Sequence, residues 1–405
     1  MTINRAPTKR FEQRKNAIVS SAVQVLNRKG VRGMTLADVA ARLDLVPTGV
    51  VYYFKNKEDL AAACFLDGIG RFKELAAIGE TGESVRERLK LFLDAYFDYR
   101  RRMLLGEADA IATFNDVRGL NHAPVNAAFV DMFRKIRSLL AGPETHGLSW
   151  PSLGARAHLL ISEVLWAVVW LHRYDPDDFA RVSHRVHSIM ADGLLAPDSA
   201  WNPVALPSLI AESQETEASK ELFLRAATQL INEQGYLGAS VEKISARLNV
   251  TKGAFYHHHE TKDELVVACF ERTFDVMRRA IRQAEAASGD GFQTLATVAT
   301  ALVEYQMTGN APLLRASALS SAPEALRPQL VAKFDRISDR FASLISDGVA
   351  DGSLRPIDVN IAAQMLTAMI NAAAELQNWA QGVTPHTAAA LYVRPFFEGL
   401  LSRQA

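Results

Sequence analysis

Cysteine is nearly absent from this 405-residue chain, which holds only Cys64 and Cys269. Two thiols so far apart can build neither a disulfide framework nor a metal knuckle, and they suit a reducing compartment as small buried hydrophobes. An excess of one charge is lacking as well: 45 Lys and Arg face 45 Asp and Glu. There is no low-complexity tract or long charge block, and 49% hydrophobic with 22% charged residues is the composition of a chain folded throughout. No apolar run reaches the roughly 20 residues of a membrane span. The most apolar stretch, 159–171, is interrupted by Glu163 and flanked by His158 and His172, and reads as a core helix. Residues 1–14 are polar and basic without an apolar core, so no secretory leader and a cytoplasmic location are expected. Gly68-Ile69-Gly70-Arg71 follows no strand pattern and is no dinucleotide loop. Paired acid/base residues, nucleophile triads and metal-ligand sets at diagnostic spacing are all missing, which argues against an enzyme and for no cofactor or metal.

What the chain has is an internal repeat. Residues 14–65 realign without a gap on 219–270, an offset of 205, and the identities run the length of the segment. They include Lys15/Lys220, Ala22/Ala227, Gln24/Gln229, Asn27/Asn232, Gly30/Gly235, Gly33/Gly238, Ala41-Arg42-Leu43/Ala246-Arg247-Leu248, Lys57/Lys262, Leu60/Leu265 and Ala63-Cys64-Phe65/Ala268-Cys269-Phe270. Between the copies, Pro197, Pro203 and Pro207 mark a linker.

Apolar residues recur at three- and four-residue spacing almost everywhere, which predicts an all-α fold. Helices are expected near 12–29, 36–43, 47–53, 57–78, 84–104, 107–117, 123–141, 151–173 and 176–194. The second half repeats the scheme near 217–234, 241–248, 252–258, 262–287, 291–308, 312–320, 323–348, 357–380 and 385–403. Five segments follow: 10–60, 61–196, a linker at 197–216, then 217–265 and 266–405.

In the second copy, Ser240 to Leu248 reads as a short helix, Asn249-Val250 as a tight turn, and Thr251 as the cap of a helix from Lys252 to His258. That is a helix-turn-helix, whose second helix can enter a major groove. The run from Thr251 to Leu265 resembles the signature of the TetR/AcrR family of transcriptional regulators almost residue for residue, and Met34 to Leu60 carries the same pattern. The resemblance implies, for each half, a three-helix DNA-binding domain followed by an α-helical ligand-binding and dimerisation domain. Carried onto this sequence, it places Arg14, Thr35, Pro47, Thr48, Gly49, Val50, Tyr52, Tyr53 and Lys57 of the first half at DNA. In the second half it does so for Ser240, Thr251, Lys252, Gly253, Ala254, Tyr256, His257 and Lys262. Lys57 and Lys262, after the caps Asn56 and Thr261, are expected against phosphate at a helix N-terminus. The copies depart from the pattern differently: Val46 stands where the recognition helix usually has a Ser/Thr cap, and Val51 where it has Tyr. In the second copy His259 replaces Phe, and Lys243 stands where Asp38 completes a capping box with Thr35. His257-His258-His259 is no metal site on this reading, because neighbours on a helix point roughly 100° apart.

Charge separates the copies. Residues 1–60 hold eleven Lys/Arg against five Asp/Glu, whereas 217–265 hold six against seven. Phosphate attraction supplies most non-specific DNA affinity, so the first copy is expected to anchor the protein on double-stranded DNA and the second to add specificity or to bind weakly. Polar or aromatic residues on otherwise apolar helices mark expected contacts with a small apolar or aromatic effector: Tyr96, Tyr99, Glu163, Trp166, Trp170, Tyr305, Gln364, Asn371 and Trp379. The resemblance further implies that the last two helices of each half pair, here within one chain, as a pseudo-dimer on an asymmetric operator, with a homodimer of such chains as a further assembly and no membrane partner. The competing expectation is a helical ligand- or protein-binding scaffold in which one or both helix-turn-helix copies have lost DNA binding.

Overall fold

The computed structural model describes residues 8–114, 117, 120–209, 215–251, 261–309, 312–315, 318 and 325–402, without the side chains of 215–219 and 236–237. Among them there is helix and no strand, apart from one isolated bridge between Leu195 and Leu354.

The first half runs α1 (Lys9–Gly33), α2 (Leu36–Ala41), α3 (Pro47–Val51), α4 (Lys57–Gly79), α5 (Val85–Leu104), α6 (Ala123–Leu139), α7 (Trp150–Trp170) and α8 (Phe179–Asp192). The second half runs α9 (Glu215–Gly238), α10 (Val241–Arg247), α11 (Lys262–Ala287), α12 (Gly291–Met307), α13 (Arg327–Ala350), α14 (Val359–Ala372), α15 (Leu376–Trp379), α16 (Pro385–Ala388) and α17 (Arg394–Glu398), with a π-helical turn at Ala389–Val393. The expected helix at 252–258 lies outside the described residues. By contact the chain divides into one unit of residues 1–74 with 102–132 and another of 75–101 with 133–405.

Residues 107–113, expected to open a helix, form a loop, because Gly106 takes a left-handed φ of 74° that ends α5. In the second half Gly309 does the same at 70°, and of the helix expected at 312–320 residues 312–315 are not helical whereas Ala318 is. Two more helices are shorter than periodicity suggests. The stretch 357–380 breaks after Ala372 into a 3-10 turn, and 385–403 is interrupted by its π turn.

In the larger unit, α7 packs on α14 and on the π turn. By length and hydropathy, Trp150–Arg173 could cross a membrane, but 67% of its most apolar window is buried inside the protein, so it serves as a core helix. Its Arg156 is fully buried and donates to the carbonyls of Leu400 (3.0 Å) and Ser402 (2.8 Å). Burial pulls that guanidinium down to about 10. Chain ends exchange bonds here as well: Leu194 N–H donates to Phe397 C=O (2.8 Å) and Leu400 N–H to Met190 C=O (2.7 Å). Gly193 and Gly399 sit at these crossings with φ of 68° and 92°, and a Cβ on either would collide with the carbonyl of Phe397 or of Ala191. Only glycine fits such a crossing.

The proline-rich segment after α8 is packed rather than loose. Trp201 lies against Phe292 and Phe397, Val204 N–H donates to Thr297 Oγ1 (2.9 Å), and Arg279 donates to the Leu209 carbonyl (2.7 Å).

Candidate nucleic-acid interface

The first helix-turn-helix is built by α1 to α3. Gly30, with φ 67°, turns α1 into its exit, and Ile18, Ala22, Leu26, Met34, Val39 and Val50 close the core beneath the motif. Thr35 and Asp38 form the capping box expected of them: Asp38 N–H donates to Thr35 Oγ1 (3.1 Å) and Thr35 N–H to the Asp38 carboxylate (3.2 Å). The hydrogen bond from Lys29 (2.8 Å) is the main reason the Asp38 carboxyl stays below its ordinary pKa. The turn between α2 and α3 hinges on Asp44 at φ 53°, a value at which Asn and Asp are the most tolerated non-glycine residues.

At α3, Val46 has no side-chain cap and Pro47 takes the first helical position. Arg14, Thr35, Pro47, Thr48 and Tyr52 are exposed, with Gly49, Tyr53 and Lys57 partly so. A Cβ on Gly49 would meet only ordinary contacts with Leu45, so packing does not require that glycine. Val50, expected at the DNA, is instead fully buried. It lies one turn after Pro47 on the inner face of a helix too short to present two faces outward. Lys57 already spends one donor on the Arg32 carbonyl (3.0 Å), and Asn56 caps α4 through Asp59 N–H (2.7 Å).

Sequence reasoning missed Phe11. From the first turn of α1 its ring lies 4.8 Å from Tyr53 and 6.0 Å from Tyr52, which are 5.1 Å apart, so the tyrosines stand in an aromatic trio. A Phe in an otherwise polar first turn was the available signal.

The second copy reproduces this frame. Gly235 has φ 70° and Asn249 φ 55°, at the positions of Gly30 and Asp44. Val250 N–H bonds the Ser245 carbonyl as Leu45 N–H bonds that of Ala40, each at 3.0 Å. Cys64 and Cys269 lean on the carbonyls of Val19 and Leu224, 205 residues apart like themselves, and burial pushes both thiols up to about 12. Ser240 caps α10, Thr251 is exposed at the end of the turn, and Thr261 caps the helix opened by Lys262. Lys252, Gly253, Ala254, Tyr256, His257 and the remaining histidines of that run lie outside the described residues.

The charges between α1 and α2 are rearranged in the second copy. Lys29–Asp38 becomes Gln234 accepting from Lys243 (2.6 Å). Arg42 donates to Gln24 with Arg28 exposed nearby in sequence, whereas Arg247 is closed by Glu233 (3.0 and 3.2 Å), the residue that replaces Arg28. The second copy is thus near neutral by composition, and its Arg247 is paired as well.

The expected effector contacts do not converge on one cavity. Tyr96 is buried and donates to the Val164 carbonyl (2.7 Å), while Tyr99 is half-buried. Glu163 is 3% exposed, neither carboxyl oxygen has a hydrogen-bond partner among the described residues, and burial raises its pKa well above the ordinary range. The buried indole nitrogens of Trp166 and Trp170 also lack partners there. Tyr305 accepts from Arg272 (2.8 Å) beside a cleft of about 640 Å3 that Glu221, Leu224 and Val276 help to line. Gln364 is buried, Asn371 donates to the Thr367 carbonyl (2.8 Å), and Trp379 stacks on Phe133 at 4.9 Å.

Comparison with known proteins decides the family. The model described as bacterial regulatory proteins, tetR family, matches twice, at 18–64 and 223–269, and one described as tetracyclin repressor-like, C-terminal domain, matches 288–379. The chain carries the DNA-binding domain of the TetR family twice. It is 27% identical over 103 residues to the transposon Tn10 TetC protein of Escherichia coli, spanning 25% of this chain and about half (52%) of that protein's length. It is also 27% identical to the HTH-type transcriptional repressor DhaR of Mycobacterium sp. (strain GP1), over 34% of this chain and 70% of that one. Among solved structures, the TetR family regulator PfmR of Thermus thermophilus aligns at 22% identity and TM-score 0.37, covering 45% of this chain and 99% of that one. Among the described residues this chain is thus all-α, with the helix-turn-helix domain of the family matched in both halves.

Proposed function

We propose that this TetR-family chain is a ligand-responsive repressor whose two unlike readers, at 10–60 and 217–265, act as an intramolecular pseudo-dimer on an asymmetric operator. Sensor segments at 61–196 and 266–405 carry them, and 197–216 joins the halves. The observation that carries this reading is the exchange of bonds between the last helices of the two halves. Leu194 and Leu400 donate reciprocally across the Gly193/Gly399 crossings, and Arg156 holds the C-terminal carbonyls. Reciprocal use of corresponding groups is the mark of an isologous contact, here supplied by one polypeptide. A small apolar or aromatic effector that binds one arrangement of the sensor helices better would shift the spacing of the readers away from their half-sites.

The first reader is the phosphate anchor in this scheme, since among the described residues Arg28 and Arg42 face no carboxylate where the second copy closes Arg247 on Glu233. Charge reversal of Arg10, Arg14 and Lys15 is expected to weaken DNA binding by more than about tenfold and to flatten its salt dependence, with a smaller loss for reversal of Lys252 and Lys262. Fluorescence titration at several salt concentrations measures both, and equal losses would contradict the assignment. A chain that bound no DNA at low salt would instead be the helical scaffold.

A further inference from the structure

We infer that Asn27 and Asn232 are positioning residues, clamps through which each reader is mechanically tied to the loop that follows its sensor's second helix. Its regulatory meaning rests on the regulator reading above. Asn27 stands on α1, three residues before the Gly30 turn. Its Nδ2 donates to the Ile111 carbonyl (2.9 Å) and its Oδ1 accepts from the Thr113 N–H (2.8 Å). Asn232 occupies the same place on α9: Nδ2 donates to the Leu313 carbonyl (2.9 Å) and Oδ1 accepts from the Arg315 N–H (3.0 Å). In both cases one amide brackets a single buried residue, Ala112 or Leu314, as a neighbouring strand would.

The two loops share no sequence, reading Ile111-Ala112-Thr113 and Leu313-Leu314-Arg315, and they lie 202 residues apart while the asparagines lie 205 apart. Register and side chains have therefore changed, yet the clamp closes on both. Because the two bonds common to both copies reach backbone groups, with Thr113 Oγ1 adding a third to Asn27 Oδ1 (3.3 Å) in the first copy alone, the loops are free to diverge around it. A side chain kept merely to fill space would follow the side chains it packs against.

In the second half the loop is also gripped from the sensor side. Gln306 on α12 accepts from Leu313 N–H (2.9 Å), Thr273 on α11 accepts from Leu314 N–H (2.8 Å), and Arg272 donates to the Pro312 carbonyl (2.9 Å). Arg315 pairs with Glu375 just beyond α14 (2.5 Å), the helix that packs on α7. The loop is thus a strut, with Asn232 as its reader end and α11, α12 and α14 at its sensor end. A shift in those helices displaces backbone that the reader helix holds directly, and by linkage a change in the reader is felt in the loop.

Amide hydrogen exchange on the full-length chain tests this without an effector. Val39→Ala, which weakens the core of the first reader, is expected to speed exchange of the 107–114 segment several-fold. In an Asn27→Ala background the same substitution is expected to leave that segment's rate unchanged. Should Val39→Ala unfold the reader, judged by loss of protection in α1, Thr35→Ala is the milder substitute. An equal effect of the reader mutation on 107–114 with and without Asn27 overturns the proposal. A parallel run with DNA recovered by selection from a random pool separates this from the regulator reading, because protection of 35–53 reports DNA binding whether or not the clamp is present.

Discussion

Val46 shows how a single side chain can weaken an element without disabling it. It is 66% exposed at the N-cap of α3 with no capping bond, and Pro47 only presets the backbone that follows. Val46→Ser supplies a side-chain acceptor for the first turn, where Gly49 N–H now has only the Val46 carbonyl (2.8 Å), and is expected to stabilise the reader by about 1 kcal/mol. Scanning calorimetry checks this, and an unchanged or lower Tm would show that the cap position is satisfied some other way. Glu163 is the opposite case, a carboxyl placed where only its neutral form is comfortable. Burial raises its pKa well above the ordinary range, and ionising it would also bring charge near the buried Tyr392 hydroxyl. The unfolded chain releases this proton at lower pH than the folded one does. The stabilisation is therefore complete below the ordinary carboxylate range and declines as pH rises toward the folded-state value. Glu163→Gln removes the titration. From about pH 5 to about pH 9 the wild-type Tm is expected to fall relative to that of the variant, and parallel curves would contradict it.

Elements were legible in the sequence where a cap or a glycine punctuated them. Helix α11 spans 262–287 as periodicity predicts, because Thr261 caps its start and the apolar stripe runs unbroken to Ala284. The capping box at Thr35 and the turn at Asn249 could be read for the same reason. The loops at 107–113 and 312–315 could not, because their backbone groups are satisfied by asparagine side chains distant in sequence, which no local pattern reports. The break in the last helix did carry a local signal: Pro395 denies the Leu391 carbonyl its usual donor, and the chain widens into a π turn just before it. Of the expected DNA contacts, Val50 lies in the core instead, because a five-residue helix turns one of its few positions inward. Effector residues were the least legible, since an apolar helix with a polar insert describes a core such as that of Tyr96 equally well. At this scale Arg156 is the most exposed to test. Arg156→Met would leave the buried Leu400 carbonyl and the half-buried Ser402 carbonyl without this donor and is expected to cost about 2–3 kcal/mol. Chemical denaturation measures it, and a loss near zero would mean that the C-terminal end is held by packing alone.

For the whole molecule, duplication kept a frame and changed its surface. Glycine turns, thiols and asparagine clamps recur at fixed offsets, while charges such as Arg28 and Asp38 give way to Glu233 and Lys243. A symmetric protein built from two chains must read two equal half-sites, whereas one chain with two different readers is freed from that constraint. Hydroxyl-radical footprinting of the chain on an operator recovered by selection tests this most directly. The account predicts two unlike half-sites on one face of the duplex, both protected by a single chain and with the stronger protection at the half-site of the basic first reader. A perfect palindrome, each half contacted by the same reader from two separate chains, would contradict it.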